Sequence, residues 1–136
     1  MNDTTRQHPL AIVTGGGTGL GLASAEALLE AGYDVVALGM DTETLPDSER
    51  FEFRRFDVTD TAAVEALAAE FPEVDALVNA AGIILHDARE HTAEGFQRVM
   101  DVNVEGTRLI CWALKPALAA RGGSVVNFDW MWFVLG

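Results

Sequence analysis

The stretch with the most chemistry in it is TGGGTGLG, Thr14 to Gly21. It follows an apolar run and opens a helically spaced one, so it joins a strand to a helix. Gly15 lets the chain turn sharply where a Cβ would clash, and Gly19 and Gly21 let the helix start approach both a ligand and the sheet. Backbone N–H groups along Gly17, Thr18, Gly19 and Leu20 can then hold a pyrophosphate, aided by the helix dipole. The register differs from G-x-G-x-x-G, and a plain flexible turn is the competing reading. A second set, HDAREH (His86 to His91), puts two imidazoles and two carboxylates on one loop. Solvated loop charges explain it more simply than a metal, and no metal is expected.

Strands and helices must alternate to position these residues. LAIVT (Leu10 to Thr14) is a continuous apolar run ending in glycines, as in a strand buried on both faces. Leu20, Ala23, Ala27, Leu28 and Ala31 recur at helical spacing, with Gly32 as the stop. DVVAL (Asp34 to Leu38) and FEFRRF (Phe51 to Phe56) read as the second and third strands, with Arg54 and Arg55 as outward charges. Val64, Leu67, Ala68 and Phe71 form a helix face, capped by Asp60 or Thr61 and ended by Pro72. DALVN (Asp75 to Asn79) is the fourth strand. A helical stretch runs from Thr92 to Ala120 with a break expected near Asp101 to Asn103, and Phe96, Val99 and Val102 are expected in the core. SVVNF (Ser124 to Phe128) is the fifth strand. Strands separated by helix-length crossovers imply a parallel sheet covered on both faces, with ligands bound beyond the carboxyl ends of its strands.

The 136 residues are expected to form one domain, 1–136, with residues 129–136 as an apolar tail. A net charge of −12, from 9 basic and 21 acidic residues, makes nucleic acid and anionic membranes poor partners. Cys111 is the sole cysteine, which fits a reducing, cytoplasmic setting. No apolar run approaches the roughly 20 residues of a membrane span.

Thr14-Gly15, Gly19 and Gly21 resemble the T-G-x-x-x-G-x-G turn of the short-chain dehydrogenases/reductases. Other segments agree in order: DVTD (Asp57 to Asp60), NAAG (Asn79 to Gly82), DVNVEGT (Asp101 to Thr107) and GGSVVNF. The resemblance covers nearly the whole chain. It implies a Rossmann-like doubly wound α/β fold, sheet order 3-2-1-4-5, and a nicotinamide dinucleotide as ligand. It places Asp57, with Val58 beside it, against the adenine amino group. Asn79, Ala80, Ala81 and Gly82 stabilise the sheet and line the cofactor, and Asn103 takes the position of the catalytic-tetrad asparagine. In NAD-preferring members an acid ends the second strand about 18 residues past the last glycine. Gly39 stands there, and Asp41 is the nearest acid, able to reach the ribose or to cap the next segment. With no Arg or Lys between Gly15 and Ser48 to meet a 2′-phosphate, NAD is favoured over NADP.

The chemistry departs from the family. Its general acid/base is a Tyr whose pKa is lowered by a Lys four residues on. Here the one Tyr, Tyr33, has Ala37 at that distance, and the one Lys, Lys115, lies in the long helix. Asp129 and Trp130 fall where the family has serines, Trp130 at the catalytic one. Asp129 is a candidate replacement base, but without Lys and Ser it lacks support. The chain is therefore expected to be the amino-terminal half of such an enzyme, truncated after the fifth strand. It would bind the dinucleotide with little or no turnover. The alternative is a non-catalytic binding or assembly module. With no proline, lysine or charge from Ser124 to Phe128, the fifth strand is expected to be an open edge. A homo-oligomer is expected through that edge, the apolar tail or the long helix, and proline at Val126 is expected to remove an edge N–H.

Overall fold

LAIVT forms β1 (Leu10–Thr14), and all five of its residues are buried. The computed structural model describes residues 6–128. Around β1 lie β2 (Asp34–Gly39), β3 (Phe51–Arg55), β4 (Ala76–Asn79) and β5 (Ser124–Asn127), in the order β3-β2-β1-β4-β5. Every pairing is parallel: Thr14 lies beside Leu38 and Asn79, Gly39 beside Arg55, and Asn79 beside Asn127. The expected doubly wound order is the observed one.

Side-chain alternation along the strands divides the core in two. Leu10, Ile12, Val36, Leu38 and Leu77 pack on one face, against Val64 and Leu67 of α2 (Thr61–Glu70) and Ile110 and Leu114 of α4 (Thr107–Arg121). Ala11, Val13, Val35 and Val78 pack on the other, against α1 (Gly19–Glu30). At the amino ends of β1 and β4, Asp75 accepts from Leu10 N–H at 2.8 Å and from Arg121 Nε at 3.0 Å. Burial pushes the Asp75 carboxyl up, but these two donors outweigh it and hold the group below the usual range.

The α1 pattern is resolved differently from expectation. Leu20, Ala23, Ala27 and Ala31 are exposed, while Leu22 and Ala25 are buried and Leu28 and Leu29 pack beside them. The rotation of α1 is set at its first turn. A Cβ on Gly21 would stand 1.9 Å from the Gly15 carbonyl oxygen, so residue 21 must face the turn after β1. Its i+4 neighbour, Ala25, then faces the sheet. α2 follows expectation, with the Asp60 carboxylate accepting from Ala63 N–H as its N-cap.

The long helical stretch is not broken. α3 (Ala93–Met100) passes through a π-helical segment, Asp101–Gly106, directly into α4. Phe96 is 46% exposed and not a core residue, whereas Val99 is buried and Val102 packs against the core. Among the described residues no helix is long and apolar enough to cross a membrane.

On β5, Val125 and Val126 are 44% and 52% exposed. Ser124 N–H donates to Asp75 O and Phe128 N–H to Asn79 O, both at 3.0 Å. The alternation of a parallel ladder therefore points the Val126 N–H inward to β4 as well. The outward N–H groups belong to Val125 and Asn127, which corrects the expectation for Val126.

Candidate functional site

The turns that follow β1, β2, β3 and β4 converge on a cleft of about 590 Å3 at the carboxyl ends of the strands. One wall is the glycine turn, with Gly15, Thr18, Gly19, Leu20 and Gly21; Asp41 stands beside it. Asp57 and Val58 close one side, and Ala80, Ala81 and Gly82 lie along the floor.

Gly15 and Gly19 have positive φ, +65° and +51°, so side chains are strained at both positions. A Cβ on Gly15 would lie 2.5 Å from the Ala80 carbonyl oxygen, whereas one on Gly19 would have nothing within 4 Å. The bare side of Gly19 is open space into which a ligand can come close. Gly17 is not a cleft residue. It is buried under the segment after β2, where a Cβ would stand 2.2 Å from the Asp41 carbonyl oxygen.

Asp57 Oδ1 accepts from the Thr59 hydroxyl at 2.7 Å and from Thr59 N–H at 2.9 Å. These bonds hold its carboxyl below the usual range, with a smaller contribution from the Arg98 charge. An ionised acceptor therefore stands at the cleft wall.

Asn79 and Asn103 turn out to be fasteners. Asn79 is buried; its Nδ2 donates to Asn127 Oδ1 at 2.8 Å and to Cys111 Sγ at 3.2 Å, tying β4 to β5 and α4. The Cys111 thiol is pushed up by burial, which the Asn79 donor only partly offsets. Asn103, in the π segment, accepts from Ile83 N–H at 2.7 Å and donates to Ile83 O at 3.1 Å. It clamps the run after Gly82 to the helix with both ends of its amide. Of NAAG, Asn79 holds the sheet together while Ala80 to Gly82 line the cleft.

Neither Tyr33 nor Lys115 lines the cleft. Tyr33 packs just before the amino end of β2, and Lys115 stands over the exposed Trp112 ring at 5.2 Å. Asp129, Trp130 and the apolar stretch that follows lie outside the described residues. His86 to His91 form a loop and a 3-10 turn, Arg89–His91, exposed except at Glu90, and Arg89 is engaged with the His86 carbonyl. Among the described residues no three His, Cys, Asp or Glu side chains cluster as metal ligands would.

Arg98 and Glu43 escaped the sequence reading, and Arg55, read there only as an outward charge, has a backbone partner. Arg98 of α3 lines the cleft, its charge acting on Asp57. Arg55, brought beside Gly39 by the β2–β3 register, donates to Met40 O at 3.1 Å. Glu43 folds back onto the glycine turn, where its carboxylate Oε1 accepts from Gly19 N–H at 3.1 Å and its own N–H donates to Gly17 O at 2.8 Å. No periodicity marks a loop residue of this kind; only the close approach of two turns reveals it.

Residues 9–129 match the sequence family described as short chain dehydrogenase. D-threitol dehydrogenase of Mycolicibacterium smegmatis is 36% identical over 132 residues, 87% of this chain and 51% of that protein. The short chain dehydrogenase of Leptospira borgpetersenii, solved with bound NAD+, has a TM-score of 0.81 at 26% identity; the match covers 94% of this chain and 54% of that one. A short chain dehydrogenase of Burkholderia cenocepacia, solved with NADP, has a TM-score of 0.76 at 34% identity over 88% of this chain and 52% of its own. The chain spans about half the length of the curated relatives it matches. With the glycine turn, the NAAG floor and the sheet order in agreement, the chain belongs to the short-chain dehydrogenase/reductase family.

Proposed function

We propose that this chain binds a nicotinamide dinucleotide in the cleft at the carboxyl ends of β1 to β4 and, as these 136 residues, does not turn over a substrate. The observation that carries the reading is that Gly15, Thr18 to Gly21, Asp57 and Ala80 to Gly82 line one cleft. The pyrophosphate would lie over Gly19, where no Cβ intervenes, and the adenine amino group would donate to ionised Asp57. The similar proteins solved with NAD+ and NADP support a dinucleotide as the ligand. NAD is favoured, because Asp41 lines the cleft after β2 and the nearby cation, Arg55, is held on the Met40 carbonyl.

Binding is weak, in the range of about 0.1–1 mM. Calorimetric titration should give a measurable NADH isotherm, tighter than that for NADPH, and Gly19→Val should abolish it. Equal binding by that variant would overturn the site, and tighter NADPH binding would overturn the preference.

A second reading rests on β5, an edge strand among the described residues, and on Trp112, 70% exposed on α4. These surfaces favour self-association of the chain, most simply as a twofold dimer.

A further inference from the structure

The α1 helix begins without a cap of its own. Thr18, its N-cap residue, makes no side-chain capping bond, and its first turn carries no acid. Its bare N–H groups would ordinarily attract an anion. The anion present is supplied from 24 residues away, by Glu43 on Gly19 N–H. The contact is held in place: Glu43 N–H is bonded to Gly17 O, and the segment before it packs so closely on Gly17 that a Cβ there could not fit.

We propose that Glu43 is an affinity-determining residue of the dinucleotide site, an internal carboxylate occupying the place of a pyrophosphate oxygen, which the ligand must displace. The inference rests on the dinucleotide reading above. A single N–H cannot donate fully to a carboxylate and a phosphate at once, and two anions at one helix start repel. The cleft makes the competition sharper, since Asp41, Asp57, Asp101 and Glu105 line it against Arg98 as the lining cation. Glu43 therefore lowers the affinity for phosphate-bearing ligands in particular, and does nothing to a ligand without phosphate.

The test is titration of the parent chain, Glu43→Gln and Glu43→Ala with NADH, ADP-ribose and adenosine, using ligand-observed NMR where binding is weak. Glu43→Ala should tighten NADH and ADP-ribose about two- to tenfold, with Glu43→Gln between it and the parent. Adenosine should be unaffected, and the gain should narrow as salt is raised. Circular dichroism checks that α1 survives loss of its remote cap; Glu43→Gln, which keeps an acceptor oxygen, carries the test if Glu43→Ala does not fold. NADH binding that is unchanged or weakened by the variants, or an equal gain for adenosine, would overturn the proposal. Failure of the parent and every variant to bind any of the three ligands would instead overturn the dinucleotide reading, and this inference with it.

Discussion

Gly19 and Gly21 stand two residues apart in the same turn, yet a methyl group would act on different properties at the two. At Gly21 it would meet the Gly15 carbonyl at 1.9 Å, a backbone atom that cannot swing aside. Gly21→Ala should therefore destabilise the fold by about 1–3 kcal/mol. At Gly19 it would meet nothing within 4 Å and would suffer only the strain of φ +51°, about 1–2 kcal/mol. Gly19→Ala should accordingly keep more stability than Gly21→Ala while losing NADH affinity, as chemical denaturation and titration run in parallel would show. Asp75 gives a prediction in pH. Its folded carboxyl sits below the ordinary value, so the folded chain binds fewer protons than the unfolded one in acid. The stabilisation is complete above an unfolded pKa of about 3.9 and is lost as pH falls through the folded value. Asp75→Asn should cost about 1–3 kcal/mol at neutral pH, from the weakened bonds to Leu10 and Arg121. Its penalty should shrink in denaturation curves taken below pH 4. A penalty independent of pH would show that the charge contributes nothing.

Among the elements, β5 carries the clearest expectation about assembly. Its inward N–H groups are spent on β4, and its outward groups at Val125 and Asn127 face away from the sheet. If copies pair along this edge, Val125→Pro removes an outward donor and should shift light-scattering mass toward monomer, while leaving the β4–β5 ladder in place. Val126→Pro should instead unfasten β5 from β4 and lower stability. An unchanged assembly state in Val125→Pro would point away from the strand edge. The strands were legible in the sequence because continuous apolar runs bounded by glycine leave little ambiguity, and the α2 face was legible because its apolar positions recur only one way. The α1 face was not. Its alanines and leucines fit two rotations, and Gly21 meeting Gly15 across the turn chose between them. The π segment was misread as a break, since a widened turn keeps the helix going and leaves only Gly106, packed on Val58, as its trace in the sequence. Likewise Asn79 and Asn103 could be found by motif, but their work as clamps depends on partners 32 and 20 residues away in sequence.

At the scale of the whole chain, the proposed binding separates from the chemistry. The cleft combines open space at Gly19 with a carboxyl held below its usual range at Asp57, but the sequence holds no Tyr-x-x-x-Lys pair, and neither Tyr33 nor Lys115 lines the cleft. Losing a positioned acid/base removes roughly two to four orders of magnitude of rate. The purified chain should accordingly oxidise no NADH above background against a panel of ketones and aldehydes. Turnover abolished by Asp129→Asn would promote that carboxylate to a working base. The central claim, that a nicotinamide dinucleotide occupies the cleft above β1 to β4, is tested most directly by amide chemical-shift mapping of the 15N-labelled chain during titration with NAD+. The account predicts saturable shifts at Gly15 to Gly21, Asp57 to Thr59 and Ala80 to Gly82, with Gly19 among the largest. Shifts confined to α4 and β5, or none at millimolar NAD+, would contradict it.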